Sequence, residues 1–430
     1  MLNPQRPAPS HRQSHFIVIL VLGFLIQLTA LGFGRFAYTA LLPSMKADLG
    51  LTNTHMGFFQ VGILTGYLLF AHLSSAFVKR WGLSAVIQAS LGLVGLAMMA
   101  LGFTSSFGLW LILAFLIGSG AAGTYIPLVP LLIGWSSVRR SGGAIGFALS
   151  GTGVGIMIVG WATPLILEQF GMAGWRGAWL IFGASTILVG LAAWIWLREN
   201  PAFVDGRAPH DARDSAPTLL YRNPSLRIIL IVYLLVGFGY IGFATFAVAY
   251  AVEEIMLSEK EAGLLWSLFG LFSVFGCLFW GMVSDYIGRK AVTLVDLLLL
   301  CASILLAVLW QEKTGLFLSG SLFAFSFNGV IVLIAALFGD RLPMADMNRI
   351  FGLSTLIHGV GQAVGIAIAG WLKDLTSTFV VPFLLSALVI GVCPVLLFFL
   401  REGGTPMCKE TGVQESLRVN HAAASRVIHH

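Results

Sequence analysis

The segment Gly281–Lys290 reads GMVSDYIGRK and places a short polar stretch between two long apolar runs. Gly281 carries no side chain and so lets neighbouring helices pack closely. Asp285 can cap the start of a helix and can pair with a base such as Arg289. The pattern predicts a tight, charged loop between two helices.

The composition indicates that these helices face lipid. The chain has 430 residues, of which 57% are hydrophobic and only 10% are charged, and its mean hydropathy is +0.90. Soluble proteins carry about a quarter charged residues, so we interpret the chain as a membrane protein. Its four cysteines show neither the spacing of a metal site nor a disulfide framework, and we expect no cofactor.

Apolar runs of roughly 20 residues, the length that crosses a bilayer, occur twelve times. We therefore predict an all-α integral membrane protein with twelve transmembrane helices. The predicted spans are 16–44, 56–78, 83–104, 108–135, 143–166, 176–197, 228–252, 263–283, 290–310, 315–338, 350–372 and 379–400.

A polar, proline-containing stretch at 198–227 divides these spans into two sets of six and is interpreted as a linker. Both termini then lie on one side of the membrane. The predicted organisation is an N-terminal tail (1–15), an N-terminal six-helix bundle (16–197), a central loop (198–227), a C-terminal six-helix bundle (228–400) and a C-terminal tail (401–430).

Lys and Arg residues predict the orientation, because they accumulate on the cytoplasmic side. With both termini in the cytoplasm, the cytoplasmic segments hold 19 of them and the outer loops hold five. The net charge of +6 therefore reflects membrane orientation, and we expect a lipid bilayer rather than nucleic acid as the environment. The expected localisation is the inner membrane of a bacterium.

The two halves share sequence strings. GFGRFAY begins at Gly32, and GFGYIGF begins at Gly237, 205 residues further on. GFALSGTGVG at 146–155 matches GLSTLIHGVG at 352–361, at an offset of 206. Duplicated halves are typical of secondary transporters, although the individual glycines are also explained by helix packing.

The segment at 281–290 closely resembles the loop motif G-x-x-x-D-x-x-G-R-K of the major facilitator superfamily. The resemblance extends over the whole chain and implies two bundles related by a pseudo-two-fold axis, with a substrate site between them. It implies that the motif forms a gate latch that holds the outward-open state, through Gly281, Asp285, Gly288, Arg289 and Lys290. The string GFGRFAYTALLP at 32–43 resembles the signature of YbfB-type permeases.

Departures from the family pattern bear on the direction of transport. Lys79 stands where the first-half copy of the loop motif has its acid, and Ala114 stands where the fourth span of the family often has an arginine. The antiporter motif of the fifth span is incomplete, because Ile156 occupies the position of its proline. Lys79 argues against a first-half latch of the same chemistry, and the incomplete antiporter motif weakens the case for an efflux antiporter.

Arg35 is a charge inside the first span, where insertion costs about 2.5–3.5 kcal/mol. A regular helix places it on one stripe with Gln27 and Tyr38, and by resemblance the first span lines the central cavity. Glu253 and Glu254 are the only plausible acidic partners in the protein. We hypothesise that Arg35 instead binds a substrate carboxylate, since a guanidinium holds one bidentately. A pair with either acid, or a role in packing, is the alternative.

Several other polar groups lie on spans that line the cavity by resemblance. Each can bind a ligand or satisfy a neighbouring helix. With Arg35, the predicted substrate-binding residues are Gln27, Tyr38, Tyr125, Tyr240 and Asn328.

Coupling to an ion is expected to involve His358, Glu253 or Glu254. Histidine side chains in general titrate near neutral pH, so His358 is a candidate to carry a proton, with an inter-helix hydrogen bond as the alternative role. Exchange of one anion for another is a further possibility. There is no GxxxxGK[ST] loop in the sequence, and ATP is therefore not the expected driver.

The sequence thus predicts a secondary transporter that moves a small organic anion by alternating access, with import favoured over export. The alternative is proton-coupled efflux of drugs or amphiphilic metabolites. A receptor would normally carry a signalling domain, and the tail at 401–430 is short and polar. The motifs HExxH and GxSxG are missing, which argues against an enzyme. The resemblance implies a monomer.

Overall fold

The computed structural model describes residues 9–135, 141–171, 173–199, 223–341 and 344–400, and these ranges are helical without strands. Helices suit this chain because lipid offers no partner to a backbone N–H or C=O. The elements are α1 (Pro9–Gln27), a π-helical segment (Leu28–Phe33), α2 (Gly34–Leu49), α3 (Asn53–Trp81), α4 (Leu83–Phe103), α5 (Phe107–Trp135), α6 (Ser141–Phe170), α7 (Gly174–Trp196), α8 (Pro224–Glu253), α9 (Glu259–Ile287), α10 (Arg289–Leu309), α11 (Lys313–Gly339), α12 (Met344–Thr376) and α13 (Val380–Phe398).

The predicted number of spans is confirmed within these ranges, since twelve stretches are long and apolar enough to cross a membrane. The first of them joins α1, the π-helical segment and α2. Several helices extend beyond the predicted apolar spans, because polar residues cap their ends. For example, the Thr52 hydroxyl accepts a hydrogen bond from the backbone N–H of His55, so α3 begins three residues before the predicted span.

The helices form two six-helix bundles with the same internal arrangement. In the N-terminal bundle α1 packs on α6, α3 on α5 and α4 on α7. In the C-terminal bundle the corresponding pairs are α8 with α12, α9 with α11 and α10 with α13. The shared strings follow this symmetry: Gly32 packs against Gly155 in the first bundle, and Gly237 packs against His358 in the second. The repeat therefore reflects the packing of equivalent helices.

The bundles contact each other mainly through α3 with α12 and α6 with α9. We call the side of residues 15 and 400 the proximal side, and the side of the loops at 50–52 and 254–258 the distal side. Among the described residues, the ion pairs and side-chain hydrogen bonds between bundles run from mid-membrane to the distal side. The bundles are therefore closed against each other at the distal side.

Charged groups of both bundles hold this closure together. Lys46 Nζ lies 2.7 Å from Glu253 Oε1. The carboxylate of Asp374 lies over the N-terminus of α3, where it accepts from the backbone N–H groups of Asn53 at 3.0 Å and Thr54 at 2.7 Å. A helix N-terminus favours a negative charge. A cavity of about 570 Å³, lined partly by Lys46 and Glu253, opens beside these groups.

The close contact between α3 and α5 in the N-terminal bundle depends on Gly118. A Cβ at this position would overlap the backbone of Ile63 on α3, whereas a Cβ at Gly92 would meet nothing within 4 Å. We expect Gly118→Ala to lower the melting temperature of the purified protein, because α3 and α5 must move apart. Gly92→Ala is the control, and it should leave the melting temperature unchanged or raise it, since alanine favours a helix by about 1 kcal/mol. Equal melting temperatures for the two variants would contradict this account of the α3–α5 contact.

Candidate functional site

Arg35 lies on α2, two residues after the π-helical segment, and is half-buried near the middle of the interface between the bundles. One of its terminal nitrogens, Nη2, donates to Oε1 of Gln362 on α12 at 3.3 Å. Its guanidinium carbon lies 5.1 Å from the ring centre of Tyr67 on α3. Its Nε is buried without a hydrogen-bond partner in the described part of the chain. The guanidinium therefore contacts an amide and an aromatic ring, and it retains an unused donor.

The acids that were considered as partners of Arg35 are bound elsewhere. Glu253 pairs with Lys46, and Glu254 Oε1 lies 2.5 Å from Lys373 Nζ. Within the described ranges, no carboxylate lies within ion-pair distance of Arg35. The alternative prediction of a structural pair between Arg35 and either glutamate is therefore wrong. These acids lie at the helix ends on the distal side, where nearby lysines reach them first.

Aromatic side chains of the C-terminal bundle stack on one another within electrostatic reach of the guanidinium. The His358 ring stacks on Tyr233 with centroids 4.0 Å apart, and on Tyr240 with centroids 5.7 Å apart. Tyr240 also stacks on Phe327 of α11. Tyr67 and Tyr233 both lie within electrostatic reach of Arg35. We call Arg35, Tyr67, Tyr233, Tyr240, Phe327, His358 and Gln362 the Arg35 cluster.

Gln362 joins the two bundles inside this cluster. Its Oε1 accepts from Arg35, and its Nε2 donates to the Tyr240 hydroxyl at 2.5 Å. The sequence positions these groups through helical spacing. His358 and Gln362 are four residues apart on α12, and Tyr233 and Tyr240 are seven apart on α8, so each pair shares one helix face. The cluster is therefore built by two regular helix faces that meet one arginine.

The predicted binding residues are brought together only in part. Tyr240 belongs to the Arg35 cluster, and Tyr125 is half-buried within electrostatic reach of Tyr67 and Tyr233. Asn328 is half-buried on α11 beside Phe327. Tyr38 is fully buried, and its hydroxyl donates to the carbonyl of Met56 at 2.7 Å, away from the cluster. Substrate binding by these residues stays a prediction.

The π-helical segment changes the predicted stripe on the first span. A π-turn adds one residue to a helical turn, which rotates the side chains upstream by about 100° relative to an α-helix. Gln27 lies just before the segment and is fully buried, and neither its amide oxygen nor its nitrogen has a hydrogen-bond partner in the described chain. Gln27 makes no described hydrogen bond to the Arg35 cluster, and its predicted part in substrate binding stays a prediction. Sequence spacing alone assumes an uninterrupted α-helix and does not reveal the inserted residue.

The predicted coupling residues lie in two places. His358 is 5% exposed and belongs to the Arg35 cluster, whereas Glu253 and Glu254 belong to the distal ion pairs. Asp296 is a separate buried carboxylate on α10 that accepts from the Ser326 hydroxyl of α11. A role in coupling for His358, Glu253 or Glu254 stays a prediction.

Four members of the cluster are missing from the candidate binding and coupling residues: Tyr67, Tyr233, Phe327 and Gln362. Tyr67 lies on α3, a helix that was not expected to line the cavity, and Gln362 was not among the candidate residues. The sequence could have indicated Tyr67, because a tyrosine inside an apolar run usually needs a hydrogen-bond partner for its hydroxyl group. No sequence signal pairs Arg35 with Gln362, because the two residues are distant in the chain.

Comparison with known proteins identifies the family. The family model described as "Uncharacterised MFS-type transporter YbfB" matches residues 27–398. The chain belongs to the major facilitator superfamily. Its predicted resemblance to the YbfB-type branch is thereby confirmed, and so is its nature as a transporter rather than an enzyme.

Individual relatives and solved structures show how far the similarity extends. It is 28% identical to monocarboxylate transporter 12 of Xenopus laevis over 339 residues, and this alignment covers 72% of this chain and 71% of that protein. It is 24% identical to a putative tartrate transporter of Agrobacterium vitis, with 84% and 87% covered. The solved structure of a mutant nucleoside transporter NupG matches with a TM-score of 0.75 at 13% identity, over 90% of this chain and all of that one (100%). This last likeness concerns the fold alone.

The loop motif of the superfamily lies in the C-terminal bundle at the proximal side. Arg289 Nη1 lies 2.6 Å from Asp340 Oδ1 and also donates to the carbonyl of Ala336. Lys290 donates to the carbonyl of Leu400 at 2.6 Å. These bonds tie the start of α10 to the ends of α11 and α13. The side chain of Asp285 lies outside the described residues, so its part in the predicted latch stays a prediction.

The two glycines of the motif differ in what they do. Gly288 ends α9 with a φ of +107°, a backbone conformation that favours glycine, and it makes the tight turn that the motif predicts. At Gly281 the prediction of close packing is wrong in this conformation. A Cβ there would lie 3.8 Å from the nearest atom, a methyl carbon of Val332, which is an ordinary contact.

Proposed function

We propose that this protein is a secondary transporter that moves small carboxylates across the inner membrane of a bacterium by alternating access. The observation that carries the proposal is Arg35, a half-buried guanidinium between the bundles that has no carboxylate partner among the described residues. A buried charge without a partner is unfavourable, and a carboxylate ligand removes this cost. Names of relatives that refer to monocarboxylates and tartrate support the same class of substrate.

The proposal places both termini in the cytoplasm, following the distribution of Lys and Arg. The distal side is then the outer side, and the conformation described here is closed to the outside. Import is the proposed direction, because Arg35 lies toward the distal half of the first span and the antiporter motif is incomplete. Coupling is proposed to occur either through an ion or through exchange with a second anion.

Ligand-induced stabilisation of the purified protein tests the proposal. A ligand that binds only the folded state stabilises it by about 2.7 kcal/mol at a hundredfold excess over its dissociation constant. We expect the melting temperature to rise with one class of carboxylates in a panel that also contains neutral solutes, organic cations and lipophilic drugs. A rise with cations or lipophilic drugs alone would overturn the proposal and favour efflux.

A further inference from the structure

One ring nitrogen of His358, a member of the Arg35 cluster, forms no hydrogen bond with any described residue. Its Nδ1 lies 2.8 Å from the carbonyl oxygen of Tyr233. A carbonyl oxygen only accepts, so Nδ1 carries the proton. An imidazole with a single N–H has an acceptor lone pair on its other nitrogen. That nitrogen, Nε2, is buried and has no hydrogen-bond partner in the described part of the chain.

The ring of His358 is held in one orientation. It lies between Tyr233 and Tyr240, and both ring pairs are nearly parallel, with interplanar angles of 13° and 12°. Rotating the imidazole would break the bond to the Tyr233 carbonyl and disturb both stacks. Nε2 is therefore a fixed acceptor, and this residue is only 5% exposed.

Unused donors lie in the same cluster. Arg35 Nε is buried without a partner. The Tyr240 hydroxyl accepts from Gln362, and within the described residues no acceptor is recorded for its own proton. Gln362 is bonded to both Arg35 and Tyr240 and lies one turn from His358 on α12. The cluster thus offers two unused donors and one unused acceptor.

We propose that the substrate is a hydroxycarboxylate, an inference that rests on the carboxylate-transport function proposed above. Its carboxylate accepts from Arg35 and Tyr240, and its hydroxyl group donates to Nε2 of His358. A carboxylate without a hydroxyl group satisfies the two donors but leaves Nε2 buried and unpaired. Sites that are built to bond a substrate hydroxyl discriminate strongly against analogues that lack it, for this reason.

Matched pairs of acids test the proposal in the purified full-length protein. The pairs are lactate with propionate, 3-hydroxybutyrate with butyrate, and malate with succinate, each titrated against the melting temperature. We expect the hydroxylated member of at least one pair to bind about tenfold more tightly or better, since an unpaired buried acceptor costs on the order of one tenfold step in affinity. Equal affinity within every pair overturns the inference and leaves carboxylate transport standing. If no carboxylate raises the melting temperature, both fail.

Two variants of His358 separate hydrogen bonding from folding. Asparagine has an amide that can donate to the Tyr233 carbonyl, but it has no atom at the Nε2 position. Glutamine places an amide oxygen near that position. We expect His358→Asn to bring the affinity ratio within a pair close to one and His358→Gln to keep part of the preference. A preference that is unchanged in His358→Asn overturns the assignment, and the ligand-free melting temperature reports whether each variant is folded.

Discussion

Replacing Arg35 by alanine is expected to lower the affinity for the carboxylate substrate roughly a hundredfold or more and to abolish uptake. Hydrogen bonds between a guanidinium and a carboxylate contribute about 1.5–3 kcal/mol each, and a guanidinium can form two of them in parallel. Arg35→Lys keeps the positive charge but cannot form the two parallel hydrogen bonds, and we expect it to retain part of the binding. Titration of the melting temperature and uptake into vesicles measure the two effects.

The matched control for Arg35 is Arg80→Ala, which removes an exposed arginine from the same bundle, at the proximal end of α3. It should leave affinity and uptake close to those of the unchanged protein. Gln362→Ala removes the amide that holds Arg35 Nη2, so we expect it to weaken binding less than Arg35→Ala does. Uptake at the normal rate by Arg35→Ala would refute the assignment of Arg35 to the substrate.

Asp374→Ala is expected to shift the protein toward the state that is open at the distal side by about tenfold or more. The carboxylate of Asp374 makes four hydrogen bonds to the other bundle: with the backbone N–H groups of Asn53 and Thr54, and with the side chains of the same two residues. Hydrogen bonds to a charged group are worth about 1.5–3 kcal/mol, and these bonds exist only while α12 and α3 touch. Their loss therefore acts on the closed state alone.

The distance between spin labels at Ser106→Cys and Thr314→Cys measures this shift. Both residues are exposed on the distal side, one in each bundle, and the four native cysteines are replaced by serine in the labelled protein. Lys313→Ala is the matched control, because it breaks a distal ion pair within one bundle, to Glu261. We expect a longer distance in Asp374→Ala and an unchanged one in Lys313→Ala. An unchanged distance in both would mean that Asp374 does not hold the distal side closed.

The helices and the unusual arginine were predictable because each depends on local sequence. Length and hydrophobicity determine whether a segment can span lipid, so the twelve spans follow from composition along the chain. Arg35 stands out because a charge inside an apolar run is rare. The turn at Gly288 was likewise predictable, since a tight turn between two helices requires a backbone conformation that glycine adopts easily.

The partners of these residues were not predictable because they depend on how the bundles meet. The amide that contacts Arg35 belongs to Gln362 in the other bundle, and Glu253 pairs with Lys46 across the same interface. The π-helical segment at Leu28–Phe33 changes the angular spacing of side chains along the first span, and a regular spacing rule does not contain it. The sequence thus predicts which groups are unusual. It does not predict which residues they contact, because those contacts depend on the interface between the bundles.

Arg35 has no acidic partner among the described residues, and this has an electrical consequence for a carrier of the proposed kind. A loaded carrier moves through its occluded state with the guanidinium neutralised by its cargo, whereas an empty carrier moves with a lone cation, and burying a lone ion costs several kcal/mol. The empty carrier should therefore change sides slowly. A charge that crosses the whole field gains or loses about 2.3 kcal/mol per 100 mV. For a singly charged cargo, the membrane voltage thus acts on the empty carrier and leaves the loaded one nearly unaffected.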